Sequence, residues 1–539
     1  MRSTMMEFPL TLHHIFDRGT TLFPEQEIVT GGANGTHRYT YRDFRARVRG
    51  LAAGLSRLGV RPGDRIASFA WNTYRHHELY FAVPMIGAVL HTINIRLFRD
   101  QISHIVNHAG DRMIFADRSL LPLLGELRPT FRPVERFVSM EDGSAADPGD
   151  ALDYEAILAD DGGFAFPRVG EREAAMMCYT SGTTGNPKGV LYSHRALVLH
   201  SFGAAMVDTI ALSQRDTCLA IVPMFHVNAW GTPFTNIFVG AKQVHAGVAP
   251  KPETLLALLE QEGVTIAAGV PTVFLGLQAA IASGKHDLSR LKRIVIGGSA
   301  VPPNLMEAYD RLGITIVHAW GMTETTPLGL VGALKKHLLE AGPAEQLARR
   351  LKQGLPVPGI ELRAIDDEGR EVPHDGQTMG ELVARGPWVT GSYYHDPRTA
   401  DAFTPDGWFR TGDVVTIDPE GYVQIADRTK DLIKSGGEWI SSVELENALM
   451  AHPKVLEAAV VAAPDGKWGE RPLACVVPRP EARGAVADEE LNEHLRARVA
   501  KWWLPDRYVY LDELPKTSVG KFDKKVLRQR FAAETTLSP

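Results

Sequence analysis

Apolar positions along the chain alternate between two periods. Arg45 to Leu58 (RARVRGLAAGLSRL) carries its apolar residues at helical spacing, and RPGD then turns the chain into IASFA, a predicted strand. Further on, GVTIAAGVP and LKRIVIGGSA each set a β-branched run directly before a Gly or Pro break. Helical segments alternating with short buried strands predict α/β layers over most of the length. Beyond Asp427 the units shorten. SSVELENALMAHP and DEELNEHLRARVAKW read as helices, and EAAVVAAP and LACVVPRP as strands. These can build a second, small core. The expected division is a large N-terminal domain over residues 1–429 and a small domain over 430–539.

Composition narrows the class. The chain has 539 residues, 44% hydrophobic and 23% charged, which excludes a disordered or collagen-like chain. A net charge of −6 is too small to name a nucleic-acid partner. Cys178, Cys218 and Cys475 are scattered and form no CxxC pair, which argues against a disulfide scaffold or a zinc site. No apolar run reaches the length of a membrane span, and MRSTMMEFPLTLHH lacks the apolar core of a signal peptide. A cytoplasmic protein is expected.

The densest chemical signal is YTSGTTGNPKG, Tyr179 to Gly189. Gly182, Gly185 and Gly189 leave room for backbone N–H groups to close around phosphate oxygens. Thr180, Ser181, Thr183 and Thr184 add hydroxyls, and Lys188 adds a positive charge. A phosphate-rich ligand fits. The Walker A reading fails on spacing, because Asn186 and Pro187 separate Gly185 from Lys188 and Gly189 follows the lysine.

This loop resembles the phosphate-binding loop of the adenylate-forming superfamily: acyl-CoA synthetases, luciferases and peptide-synthetase adenylation domains. Further motifs of that superfamily follow in order: PMFHVNAW, GGSAVP, WGMTET, WFRTGD, DRTKDLIKSGGEWIS and PKTSVGK. Within it, SHRALVLHS, PMFHVNAW and KDLIKSGGEWISSVELENALM are most similar to bacterial long-chain fatty-acyl-CoA synthetases. The resemblance implies an α/β adenylate-forming fold with a large N-terminal AMP-binding domain and a mobile C-terminal domain. It also implies ATP, Mg²⁺ and coenzyme A as reactants, a carboxylic acid as substrate, and a homodimer.

Residue roles follow from the same resemblance. Glu324 and Thr180 are implied at the magnesium, and Thr323 at the α-phosphate. Adenine is expected between the backbone of Gly298, Ser299 and Ala300 and the ring of Trp320, with His318 and Ala319 alongside. Many relatives carry Tyr at Trp320 and Gln or Asn at His318. Asp413 is implied at the ribose hydroxyls and Arg428 near the ribose or phosphate. Lys521 is the leading catalytic candidate, because an ammonium on a flexible stem can bridge a carboxylate and a phosphate as charge develops. The hinge matches Lys430, Gly436 would line the pantetheine path, and Lys434, Glu438 and Trp439 share that moving face.

The acyl site is less sharply marked. His226 and Trp230, four residues apart, would face one channel if PMFHVNAW were helical. Trp230 is implied as a gate, and Val227 at the nucleotide end. The reaction expected is adenylation of a medium- or long-chain fatty acid followed by attack of the CoA thiol. The same motifs fit a ligase for 3-methylthiopropionate or a cinnamate-like acid, or an adenylation unit serving a carrier protein. A non-catalytic nucleotide-binding module should lack Lys521, Asp413 or Glu324, and all three are present.

Overall fold

The computed structural model describes every residue except 2, 33–34, 159–160, 162, 181–185, 285, 437, 517–521 and 533–539. Ser181, Gly182, Thr183, Thr184, Gly185 and Lys521 therefore lie outside the described residues, and Glu438 is described by its backbone alone.

The helix expected from Arg45 starts earlier, at Tyr41, and runs to Arg57. Its start is set by a capping box at Thr40. The Thr40 hydroxyl accepts from the Asp43 N–H (3.2 Å), and the Asp43 carboxylate accepts from the Thr40 N–H (2.9 Å). IASFA becomes the strand Arg65–Phe69, within a seven-stranded sheet that is parallel except at one edge. At that edge Ala174–Tyr179 and Gly189–Ser193 pair antiparallel and flank the glycine-rich loop.

A second sheet has nine strands. Its parallel centre includes Lys242–His245, Thr217–Ala220, Ile266–Gly269, Arg293–Ile296 and Thr315–Gly321. Several crossover helices open on a proline at their first position: Pro252–Gln261, Pro271–Ser283 and Pro303–Arg311. Proline suits that place, since its missing N–H has no helical partner there and its φ is already helical. Parallel strands buried on both faces give the near-continuous apolar runs seen in the sequence.

A four-stranded antiparallel sheet follows, ending with Phe409–Ile417 and Val423–Arg428. The next strand, Ile433–Ser435, belongs to a different, five-stranded sheet. Sheet membership thus changes across residues 429–432. One face of the last sheet packs on the helices Ser442–Met450 and Asp488–Arg496, with Leu445, Leu449, Leu491 and Leu495 buried. Its other face is covered by Leu527 and Phe531. No helix among the described residues is long and apolar enough to cross a membrane.

Candidate active site

A cavity of about 720 Å³ opens where the parallel strands of the nine-stranded sheet end. Ile221 and Val222, Val270, and Gly297 each follow the carboxyl end of such a strand and line it. Open α/β sheets place ligand sites at this edge, because the loops there diverge to either side. The lining has a polar part, with Thr180, Lys188, Thr323, Glu324 and Arg428, and an apolar part, with Ile210, Ile221, Val222, Val270, Val273 and Val295.

In the polar part the two flanks of the glycine-rich loop close on each other. The Thr180 N–H donates to the Lys188 carbonyl (2.9 Å), and the Lys188 N–H donates to the Thr180 hydroxyl (3.2 Å). The Lys188 ammonium lies 4.4 Å from the centre of the Tyr393 ring. Glu324 sits in the short turn Thr323–Thr325 and is 5% exposed. Its Oε1 accepts from the Tyr393 hydroxyl at 2.6 Å. Burial pushes the Glu324 carboxyl pKa up, against the Tyr393 hydrogen bond and the positive charges of Arg428 and Lys188. The Thr323 carbonyl is fixed by the Tyr192 hydroxyl (2.7 Å).

The adjoining wall carries Gly297, Gly298, Ala319 and Trp320. A Cβ at Gly297 would meet the Ala319 carbonyl oxygen at 2.9 Å and the Trp230 ring at 3.2 Å, so a side chain there would intrude on both. Gly298 and Ser299 are exposed, and Ala300 is half-buried. The Trp320 ring lies against Gly329, where a Cβ would come within 2.4 Å of it. Its Nε1–H donates to Asp413 Oδ2 (2.8 Å). Asp413 and Arg428 face each other across paired strands, and Arg428 Nε lies 2.6 Å from Asp413 Oδ1. Both oxygens of this buried carboxylate are thus engaged, and each retains acceptor capacity.

His318 is placed behind the wall rather than in the cavity lining. Its Nδ1 donates to the Leu351 carbonyl (3.0 Å), and its Nε2 faces the Gln353 amide at 3.5 Å. Burial brings its pKa down to about 4, so the ring is neutral.

Lys430 and Asp431 line the cavity from the crossing between the last two sheets, and so does Phe522, the residue after Lys521. Burial lowers the Lys430 ammonium pKa, opposed by the charge of Asp431. Asp431 in turn pairs with Arg528 at 2.5 Å. Lys434, Gly436 and Trp439 are on the hairpin Ile433–Ile440 and do not line the cavity in this arrangement. Gly436 has φ of +62°, and a Cβ there would lie 2.7 Å from the Trp468 ring.

The helical reading of PMFHVNAW is corrected. Val227, Asn228, Ala229 and Trp230 have φ between +45° and +58°, and Gly231 follows at +73°. They form a left-handed turn, which costs about 1–2 kcal/mol per non-glycine residue. Burial and local bonds hold it: the Ala229 N–H donates to the His226 carbonyl (3.1 Å), and the Thr232 hydroxyl to the Ala229 carbonyl (2.8 Å). Cys178 Sγ also donates to Asn228 Oδ1 (3.2 Å). His226, Val227 and Trp230 nevertheless all line the cavity, because a tight turn of either hand returns to one side after about four residues.

Among the lining residues that escaped the motif reading are Asn72, Arg96 and Tyr393. The Asn72 amide donates to the Ala220 (3.2 Å) and Val222 (2.8 Å) carbonyls and accepts from the Met224 N–H (2.7 Å). It pins the strand end that leads to His226. Each of the three belongs to a segment remote in sequence from the motifs it touches. For Tyr393, the available signal was the run GPWVTGSYYHDP, rich in turn residues and aromatics.

Comparison with known proteins accounts for both parts of the chain. The family model for AMP-binding enzymes matches residues 16–394, and that for the AMP-binding enzyme C-terminal domain matches 444–521. The long-chain-fatty-acid–CoA ligase of Thermus thermophilus is 51% identical over 533 residues, covering 98% of this chain and 97% of that protein. The 3-methylmercaptopropionyl-CoA ligase of Ruegeria pomeroyi is 45% identical, over 98% of this chain and 99% of that one. Among solved structures, the anthranilate CoA ligase AuaEII in complex with anthranoyl-AMP superposes with a TM-score of 0.87 at 25% identity, over 100% of both chains. A nucleotide-sized cavity lined by the superfamily's motifs, and similarity along the whole length, make this chain a member of the AMP-binding enzyme family.

Proposed function

We propose that the chain is an ATP-dependent fatty-acid–CoA ligase. In the first step a carboxylate oxygen attacks the α-phosphorus of ATP, and pyrophosphate leaves. In the second the CoA thiolate attacks the acyl carbonyl, and AMP leaves. The observation that carries this reading is the single cavity that joins Lys188, Thr323 and Glu324 to a wall of Ile and Val side chains. An acyl chain lying along that wall would present its carboxylate to the polar part.

Both steps gather negative charge, so fixed positive groups and donors supply the stabilisation. Lys188 and Arg428 bear on the phosphates, Trp320 stacks on the adenine, and Asp413 accepts from the ribose hydroxyls. Lys521 bridges the carboxylate and the α-phosphate during adenylation. Rotation of the small domain about Lys430 then withdraws Lys521 and brings Gly436 to the thiol path. The Glu324 carboxylate and the Thr180 hydroxyl offer hard oxygen donors on the cavity wall, a set that suits Mg²⁺ shared with phosphate oxygens. That ion would neutralise part of the triphosphate charge.

A shorter acid is the second reading, favoured by the 45% identity to a ligase named for 3-methylmercaptopropionate. AMP release with ATP, Mg²⁺ and CoA, measured from propionate to palmitate and with 3-methylmercaptopropionate and cinnamate, separates the two. A maximum at medium or long chains is expected. A maximum at 3-methylmercaptopropionate replaces the fatty acid, and a maximum at cinnamate makes the apolar part an aryl pocket.

The enzyme is further proposed to be a cytoplasmic homodimer, in keeping with three buried free thiols and with the superfamily resemblance. Light scattering should give about twice the 59.1 kDa chain mass, and a single-chain mass overturns the dimer.

A further inference from the structure

A carboxylate and an ammonium lining one cavity attract each other, and in a poorly hydrated site they tend to collapse into an ion pair. Such a pair would cancel the two charges that a metal-bound triphosphate needs. Glu324 and Lys188 each contact the same third residue instead. The Tyr393 hydroxyl donates to Glu324 Oε1 at 2.6 Å, and the face of its ring lies 4.4 Å from Lys188 Nζ.

We infer that Tyr393 is a positioning residue of the phosphate site, holding Glu324 and Lys188 apart so that both stay available to a metal–triphosphate. This rests on the ATP-binding reading above. A phenol suits the task because its edge and its face have opposite polarity: the hydroxyl hydrogen satisfies an anion, and the π-face attracts a cation. The hydrogen bond takes one of about four acceptor positions on the carboxylate and leaves the others for a cation.

The backbone around Tyr393 explains how one side chain reaches both groups. The Thr390 N–H donates to the Glu324 carbonyl (2.7 Å), and the Thr326 hydroxyl donates to the Trp388 carbonyl (2.7 Å). On the other side the Tyr394 N–H donates to the Gly189 carbonyl (2.8 Å). Residues 388–394 are therefore stitched to the turn bearing Glu324 and to the strand that continues from Lys188. Tyr393, 8% exposed, lies between those stitches.

Equilibrium ATP binding by calorimetry, with and without Mg²⁺, tests this in the 539-residue chain without requiring turnover. Tyr393→Phe keeps the ring under Lys188 and removes the donor to Glu324. The gain in ATP affinity that Mg²⁺ gives should shrink roughly tenfold, the size expected for a lost hydrogen bond to a charged group. Metal-free ATP affinity should fall by a smaller factor in this variant, because Glu324, released from the hydroxyl, competes for the Lys188 ammonium. Tyr393→Leu removes the ring as well, and metal-free ATP affinity should then fall about threefold, as for a lost cation–π contact. With both variants, thioester formation from supplied acyl-AMP should fall less than adenylation does, whereas a general packing defect would lower both alike. An unchanged Mg²⁺ gain in Tyr393→Phe overturns the inference, as does equal loss in both half-reactions. Failure of the unmutated enzyme to bind ATP overturns the ATP reading along with it.

Discussion

The polar and apolar parts of the cavity lining are built on different physical terms. Polar groups in and beside the lining are fixed by directional bonds: Glu324 by Tyr393, Asp413 by Trp320 and Arg428, and Thr180 by Lys188. In the apolar part Val222, Val270 and Val295 meet the cavity from strand ends, and the constraint on them is volume and shape. A buried polar group left unpaired costs about 1–3 kcal/mol. A volume-conserving apolar exchange usually costs less than about 1.5 kcal/mol. The polar part therefore has few workable sequences and the apolar part has many. This is why the nucleotide half is written in motifs while the acid must be found by experiment.

Substitutions should separate the two parts. The largest effect is expected from Lys521→Ala, which removes the proposed bridging cation. Adenylation should fall by at least about 10²–10³-fold, the scale of losing a transition-state charge stabiliser. Thioester formation from supplied acyl-AMP should be spared, and stopped-flow assay of each half-reaction checks this. Next, Asp413→Ala leaves the buried Trp320 Nε1–H without its acceptor and Arg428 without its partner. Denaturant unfolding should show a loss of about 1–3 kcal/mol, and ATP KM should rise well beyond the KM of the acid.

Val273→Phe tests the apolar part. Val273 is half-buried and belongs to the apolar part of the lining. The substitution should move the preferred acid to shorter chains and leave ATP KM near the parent value. Equal shifts in both would mean the two parts are mechanically coupled. The smallest effect is expected from His318→Gln, behind the nucleotide wall. With the folded pKa of His318 at about 4 and the unfolded value near 6.5, the unfolded state takes up the proton first as pH falls. Stability is therefore full above the unfolded value and is lost as pH drops toward about 4, by roughly 1.4 kcal/mol per pH unit for that one proton. His318→Gln should remove that share of the acid slope in melting experiments between those pH values, with little change in kcat.

Legibility followed the same division. Helix and strand placement in the second sheet could be read from apolar runs ending at Gly or Pro, since those runs enclose Ile266–Gly269 and Arg293–Ile296. The start of the first long helix was misjudged because its signal, the Thr40–Asp43 capping box, is polar and lies outside the apolar period. The stretch at His226 was misassigned for a different reason. Four-residue spacing carries no information about hand, and the left-handed turn there is held by contacts with segments such as the strand bearing Cys178. The run GPWVTGSYYHDP did not single out Tyr393 as a site residue, because it is separated by many residues from both Lys188 and Glu324.

By itself the sequence determined the layered α/β class, the change of character after Asp427 and the motif set that marks an adenylate-forming enzyme. Those properties depend on local periodicity and on residue types at fixed spacing, which the chain carries in linear order. Only the tertiary structure decided that the strand ends and the glycine-rich hairpin share one cavity and that His318 turns behind its wall. It also decided that Asp413 is held between Trp320 and Arg428, and that Tyr393 stands between Glu324 and Lys188. These are contacts between distant segments, fixed by strand register and by the pairing of buried polar groups, and no local pattern encodes them.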